Sequence, residues 1–253
     1  MGRFDGRTIL VTGASAGIGA GLARRLATEG AFVHLAARRL DRLENLRAEI
    51  EAAGGRAAAH ACDIADASAT AEVFAALERQ GTRLDAVVNT AAVLWVEPFA
   101  TQSEERWSRM LATNLAGALR VTQHALRTML PRGAGHVLHL TSTAGALPIP
   151  MLAVYSATKA ALGHFLAALR GEYGRSGVRF TELRIGNTGG TEGGGAAEAG
   201  ISPEAGAQLM RWTGLPAMLD IDDVVEAAIF ALASPPDVRL DLIVLREHAE
   251  IPT

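Results

Sequence analysis

Tyr155 and Lys159 stand four residues apart in Tyr155-Ser-Ala-Thr-Lys159, and Lys159 is the only lysine among 24 lysines and arginines. At that spacing on a helix the two side chains share a face. A free phenol has a pKa of about 10 and exchanges protons poorly at neutral pH. An ammonium about 6 Å away, at an effective dielectric of about 20, favours the phenolate by roughly 3 kcal/mol, or about two pKa units. The pair is therefore expected to lower the tyrosine pKa and to act as a tunable acid/base. A guanidinium would pack and hydrogen-bond differently, so the one lysine marks a position where arginine does not substitute. A chance Tyr-x-x-x-Lys on a helix surface is the plain alternative; Tyr173 has Gly177 at the same offset. Ser142, thirteen residues before Tyr155, ends a strand-like run in Leu140-Thr141-Ser142-Thr143. A hydroxyl there can hold the oxygen whose proton Tyr155 exchanges.

A second constellation lies near the N-terminus, in Thr12-Gly13-Ala14-Ser15-Ala16-Gly17-Ile18-Gly19. It follows a strand-like run and opens a helical one. Glycines there let the backbone approach a pyrophosphate, and the helix N-terminus offers free N–H groups. The context favours dinucleotide binding over a turn that merely needs positive φ. The second strand ends in Ala36-Ala37-Arg38-Arg39, where an acidic residue would bind the ribose 2′-hydroxyl of NAD. Two arginines, helped by the Ser15 hydroxyl, instead suit the 2′-phosphate of NADP, so NADP is expected and NAD is less favoured. Solvated loop arginines are the alternative. Asp63, closing the third strand, is a candidate acceptor for the adenine amino group; a plain turn aspartate fits the spacing equally.

Positioning these groups requires alternating strands and helices. Strands are expected at Thr8–Val11, Phe32–Ala36, Ala57–Ala61, Ala86–Asn89, His136–Thr141, Arg179–Arg184 and Leu240–Leu245. Helical stretches are expected near 17–29, 40–53, 67–80, 103–130, 153–173 and 221–233. That alternation implies an α/β fold with a parallel sheet covered on both faces. The chain of 253 residues reads as one domain, with no repeat or linker. Gly186 to Gly200 is too glycine-rich for an element interior, and the segment 186–215 is expected to be a substrate lid, with a plain surface loop as the alternative.

Composition excludes several classes. A net charge of −3 gives no overall field for nucleic acid, and one cysteine, Cys62, allows no internal disulfide. No apolar run reaches the roughly 20 residues that span a bilayer, and no signal peptide is read, so the default location is cytoplasmic. Histidines 124, 136, 139 and 164 show no ligand spacing; they are expected to be solvated or at the core edge, and no metal is expected. Trp95, Leu147, Ile149, Leu152, Met210 and Trp212 are the expected apolar wall of a substrate site, with ordinary core packing the equal alternative.

Taken together these motifs resemble the short-chain dehydrogenase/reductase family over nearly the whole chain. TGASAGIG is similar to its cofactor turn, with Gly13, Gly17, Ile18 and Gly19. Ser142, Tyr155 and Lys159 match its catalytic serine, tyrosine and lysine. The resemblance implies that Asn114, in ATNLAG, holds a water on the lysine, and that Asp63 and Ile64 contact adenine. It assigns Asn89, Ala91, Gly186 and Thr188 to the cofactor site. It further implies a seven-stranded Rossmann-type sheet and a homotetramer or homodimer packed through helices 103–130 and 153–173. The expected apolar wall, with no obvious charged anchor, suggests hydride transfer to or from the carbonyl or secondary alcohol of a hydrophobic small molecule. The chain departs from the family at Asn89-Thr90-Ala91-Ala92, where Asn-Asn-Ala-Gly is usual, and at Ile185-Gly186, where Pro-Gly is usual. The usual threonine falls at Gly190, with Thr188 and Thr191 as substitutes. A nucleotide sensor of the same fold without turnover is the reading from another functional class.

Overall fold

The computed structural model describes residues 2–189 and 218–248. Seven strands form one parallel sheet in the order β3-β2-β1-β4-β5-β6-β7. They are β1 Thr8–Thr12, β2 Phe32–Ala37, β3 Arg56–Ala61, β4 Ala86–Asn89, β5 Gly135–Ser142, β6 Val178–Ile185 and β7 Leu242–Leu245. The last strand starts two residues later than expected, since Leu240 and Asp241 lie before the paired stretch Leu242–Leu245 opposite Glu182–Ile185. The connecting helices are α1 Gly17–Thr28, α2 Leu40–Ala52, α3 Ala67–Arg79, α4 Glu104–Met110, α5 Ala118–Met129, α6 Ala153–Tyr173 and α7 Ile221–Ala233.

Alternation along the strands feeds two cores. Ile9, Val11, Val33 and Leu35 pack under α1, α2 and α7 with Leu22, Leu26, Leu43 and Ile229. Leu10, Val87 and Val137 face the other way, under α3, α5 and α6 with Phe74, Val121 and Leu166. Burial of this kind stabilises by roughly 25 cal/mol per Å² of apolar surface removed from water, which makes the sheet a rigid floor for whatever its C-terminal edge carries.

The expected single helix over 103–130 is three pieces. Between α4 and α5, residues Leu111–Gly117 wind as a π-helix. Such a wide turn occurs mostly as a local bulge inside α-helices and often at functional sites. Here it contains Asn114. The order of strands reverses between β1 and β4, and the crevice beyond that point is where open α/β sheets take ligands.

Candidate active site

The turn after β1 is built for close approach. Gly13 has φ +72° and Gly17 φ +54°, a region that favours glycine. A Cβ at Gly13 would stand 2.7 Å from the backbone nitrogen of Ala91, and one at Gly19 would stand 2.6 Å from Thr90 Oγ1. The loop after β4 thus packs directly onto the turn, pinned by the Thr90 hydroxyl donating to the carbonyl of Thr12 at 2.6 Å. Helix α1 follows Ala16, which offers no side-chain cap, and has no acidic residue in its first turn. Its first N–H groups and partial positive charge are left for an anion.

At the other end of the crevice, Ser142 closes β5. Its hydroxyl caps the short turn Thr143–Gly145 by accepting from the Ala144 N–H at 3.1 Å and lies near enough to the Tyr155 phenol to favour its ionised form. Lys159, one turn along α6, is buried, with its Nζ 5.6 Å from the Tyr155 ring centre. It donates to the carbonyl of Leu140 on β5 at 3.0 Å. Asn114 is 1% exposed. Its side-chain oxygen accepts from the Val93 N–H at 2.7 Å, and its amide donates to the Val93 carbonyl at 2.8 Å and to Thr158 Oγ1 at 3.4 Å. Thr158 Oγ1 in turn donates to the Tyr155 carbonyl. The recorded partners of the Asn114 side chain are therefore Val93 and Thr158, not Lys159. It staples the loop after β4 to the helix carrying the tyrosine.

The electrostatics correct one expectation. Burial raises the Tyr155 pKa above its ordinary value, and the neighbouring Ser142 hydroxyl only partly offsets this. Burial also lowers Lys159 to about 8. In a low-dielectric pocket the cost of charging either group outweighs their mutual stabilisation. The phenol is thus protonated at neutral pH.

The sequence profile described as short chain dehydrogenase matches residues 7–200. The chain belongs to the short-chain dehydrogenase family. With it, the chain belongs to the oxidoreductases. The NADP-dependent 3-hydroxy acid dehydrogenase YdfG of Salmonella typhi is 33% identical over 236 residues, covering 93% of this chain and 92% of that protein. The glycine betaine reductase ATRR of Emericella nidulans is 34% identical over 98% of this chain, which spans only 19% of that protein's length. Among solved structures, the alcohol dehydrogenase of Thermococcus sibiricus complexed with 5-hydroxy-NADP superposes with a TM-score of 0.83 at 31% identity, covering 98% of this chain and 99% of that one.

Most of the remaining expected residues of this short-chain dehydrogenase stand at or just past the C-terminal ends of its strands. Arg39 donates to the Ser15 hydroxyl at 3.2 Å, which joins the end of β2 to the glycine turn; Arg38 beside it is exposed. Ile64 is buried, and Ile18 and Ala91 are partly buried. Asn89 is buried, and its side chain is taken by Thr12 Oγ1 at 3.2 Å and by His139 Nε2 at 3.0 Å. Gly186 donates its N–H to the Leu245 carbonyl at 2.8 Å, and Thr188 Oγ1 donates to the Gly186 carbonyl at 3.2 Å.

Of the expected apolar wall, Trp95 and Leu147 are half-buried, whereas Leu152 and Ile149 join a small core cluster with Val96, Ala144 and Tyr155. Met210, Trp212, Gly190, Thr191 and most of the 186–215 segment lie outside the described residues. His136 and His139 are not at the core edge but buried at 3% and 0% exposure. They sit on inward positions of β5, tied to Thr181 and to Thr122 and Asn89. No group of three or more metal-ligating side chains occurs among the described residues, and no described helix is long and apolar enough to cross a membrane.

Two features carried no signal in the residue types. Met151 has φ +69°. It follows Pro150 in a turn closed by the Leu152 N–H on the Ile149 carbonyl at 3.2 Å. Pro at the second and a positive-φ residue at the third position make a type II turn, one step before the helix that bears Tyr155. The other is a buried ion pair. Glu182 is 2% exposed and accepts from Thr141 Oγ1 at 2.6 Å and from Arg184 Nε at 2.9 Å.

Proposed function

We propose that this chain is an NADP-dependent oxidoreductase that interconverts a carbonyl and a secondary alcohol on a hydrophobic small molecule. The observation that carries it is Ser142 beside the Tyr155 phenol, with the buried Lys159 ammonium over the phenol ring, across the crevice from an uncapped helix N-terminus behind a glycine turn. Gly13, Gly17 and Gly19 leave room for a pyrophosphate, and the α1 N–H groups bind it. Arg38, Arg39 and Ser15 hold the 2′-phosphate, Asp63 and Ile64 flank adenine, and Asn89, Ala91, Gly186 and Thr188 line the rest of the nucleotide path. Bound NADPH supplies the hydride that goes to the carbonyl carbon. Tyr155 donates its proton to the carbonyl oxygen in reduction and takes it back in oxidation. Ser142 positions that oxygen. Lys159 holds ribose hydroxyls and its charge favours the phenolate once the proton has left. Asn114 fixes the loop and helix that frame these groups. Trp95 and Leu147 contribute the apolar side of the substrate pocket.

Burial keeps the phenol protonated at neutral pH, the state from which it would give its proton in reduction. NADPH consumption against a panel of hydrophobic ketones tests the reading. Tyr155→Phe should lower kcat by about 10²- to 10⁴-fold, the usual weight of general acid–base catalysis, with NADPH affinity retained. Near-normal turnover in that variant overturns the mechanism. Binding of NADPH without consumption on any ketone would favour a sensor instead.

A further inference from the structure

The loop that follows β3, Asp63 to Ala65, is clamped from one side by a single run of helix. Arg120 on α5 donates to the carbonyls of Ile64 at 3.2 Å and Ala65 at 3.1 Å. Gly117, at the end of the π segment, lies so close that an added Cβ would stand 2.7 Å from the Ile64 carbonyl oxygen. These contacts fix the loop backbone. Arg109, at the end of α4, does something different. Its guanidinium donates to Asp63 Oδ2 at 2.6 Å, and the two side chains are 29% and 31% exposed. Asp63 Oδ1 accepts from the Ala65 N–H at 3.0 Å.

We propose that Arg109 is a positioning residue for the adenine end of the nucleotide, acting by holding the Asp63 carboxylate in one orientation and by cancelling its charge. An ionised carboxylate has about four lone-pair sites. Arg109 and the Ala65 N–H each occupy one, which leaves acceptor capacity on both oxygens for the exocyclic amino group of adenine. Without the guanidinium, the carboxylate rotates about its χ2 torsion and presents a bare negative charge to a ligand that is itself polyanionic. Like charges at short range disfavour binding. With it, the carboxylate is a fixed, locally neutral acceptor. The inference rests on the NADP reading above and adds a residue to it. Arg109 lies five residues before Asn114 on the same helical run, so the element that stapled Val93 to α6 also reaches the far end of the ligand.

The test is direct binding, measured by calorimetry on the full chain, of NADPH, of 2′,5′-ADP as the adenine half, and of reduced nicotinamide mononucleotide as the other half. Arg109→Leu should weaken 2′,5′-ADP and NADPH alike by about tenfold, the usual weight of one charge-assisted hydrogen bond, with the mononucleotide unchanged. Arg109→Lys, which keeps the charge, should recover most of the loss. In an Asp63→Ala background the same Arg109→Leu change should have less than about a twofold effect, since contacts that act through one another are not additive. An unchanged affinity of Arg109→Leu for 2′,5′-ADP overturns the inference. So does an equal loss in the Asp63→Ala background, or an equal loss for the mononucleotide, which would mark a general structural role. Should Arg109→Leu not fold, Arg109→Gln is measured in the same cycle against the same thresholds. A wild-type chain that does not bind 2′,5′-ADP overturns the nucleotide reading itself, whereas binding that is indifferent to Arg109 overturns only this inference.

Discussion

Lys159 Nζ donates to the carbonyl oxygen of Leu140 at 3.0 Å, so helix α6 is tied by its one ammonium to the strand that ends in Ser142. The group is buried and its pKa is lowered by that burial to about 8. The unfolded chain holds this proton up to the ordinary lysine value, so between about pH 8 and 10.5 the unfolded state binds more protons and stability rises with pH. Tyr155, raised by burial, opposes this only above about pH 10, where the unfolded phenol ionises first. Relative to Lys159→Met, the wild-type chain should therefore gain about 2 kcal/mol between pH 7.5 and 9.5 in urea unfolding. Parallel curves for the two proteins would show that the ammonium is not desolvated.

Arg39 reaches the Ser15 hydroxyl, and Arg38 stands beside it at the end of β2. Removing the Arg39 guanidinium should weaken NADPH by about 10- to 100-fold and NADH by less than about threefold, because only NADPH carries the 2′-phosphate proposed to pair with it. Arg38→Asp should go further and reverse the preference. Dissociation constants for both nucleotides, measured at one salt concentration, decide the matter; an unchanged ratio in both variants removes the arginines from cofactor choice.

Two glycines of α1 should behave oppositely. A Cβ at Gly19 meets the Gly13 carbonyl and Thr90 Oγ1, whereas one at Gly21 meets only methyl groups of Ile221 and Val225 at 3.3 Å. Backbone in the glycine turn cannot yield without losing its shape, so Gly19→Ala should cost more than about 2 kcal/mol. Gly21→Ala should stay within about 1 kcal/mol of wild type, since overlap with flexible side chains is small and alanine favours the helix. Thermal melts of both variants report this, and equal melting temperatures would contradict the packing of the loop after β4 onto the turn.

Three histidines are buried in neutral form. Burial lowers His34 to about 4 and His136 and His139 to about 3. In the unfolded chain each takes its proton near the ordinary histidine value, so stability falls as pH drops from about 6.5 towards 4. With three such groups the slope is about 4 kcal/mol per pH unit through that window, before the carboxylates begin to titrate. Urea unfolding at half-unit intervals measures it, and His136→Asn should flatten the slope by about a third. A chain whose stability is flat from pH 6.5 to 4.5 would mean that these rings are hydrated or already charged.

Much of this molecule is legible from its residues. Strands such as Ala86–Asn89 are apolar on both faces, and Tyr155, Lys159 and Ser142 stand at spacings that only an element order of this kind brings together. What escapes is set by three dimensions. The polar grip of His139 on Asn89 and Thr122 joins residues 50 and 17 positions apart, and nothing local announces it. The direction of the Tyr155 shift depends on how much water burial removes, which a spacing argument does not contain. Arg109 looks like any surface arginine until Asp63, 46 residues earlier, is placed against it. The break of the helix around Asn114 is likewise silent, because Leu111–Gly117 contains neither proline nor an unusual composition.

That break limits how the gene can vary. A stretch wound at i→i+5 holds one residue more than regular α-helix over the same rise. Excising one amino acid between Met110 and Ala118 would let the cylinder close up as regular α-helix, with α4 and α5 kept nearly in phase. Arg109 would keep its face towards Asp63, whereas Asn114 would lose the wide turn that aims it at Val93. A shortened rod could therefore still fold, and what it would lose is the staple between the loop after β4 and α6.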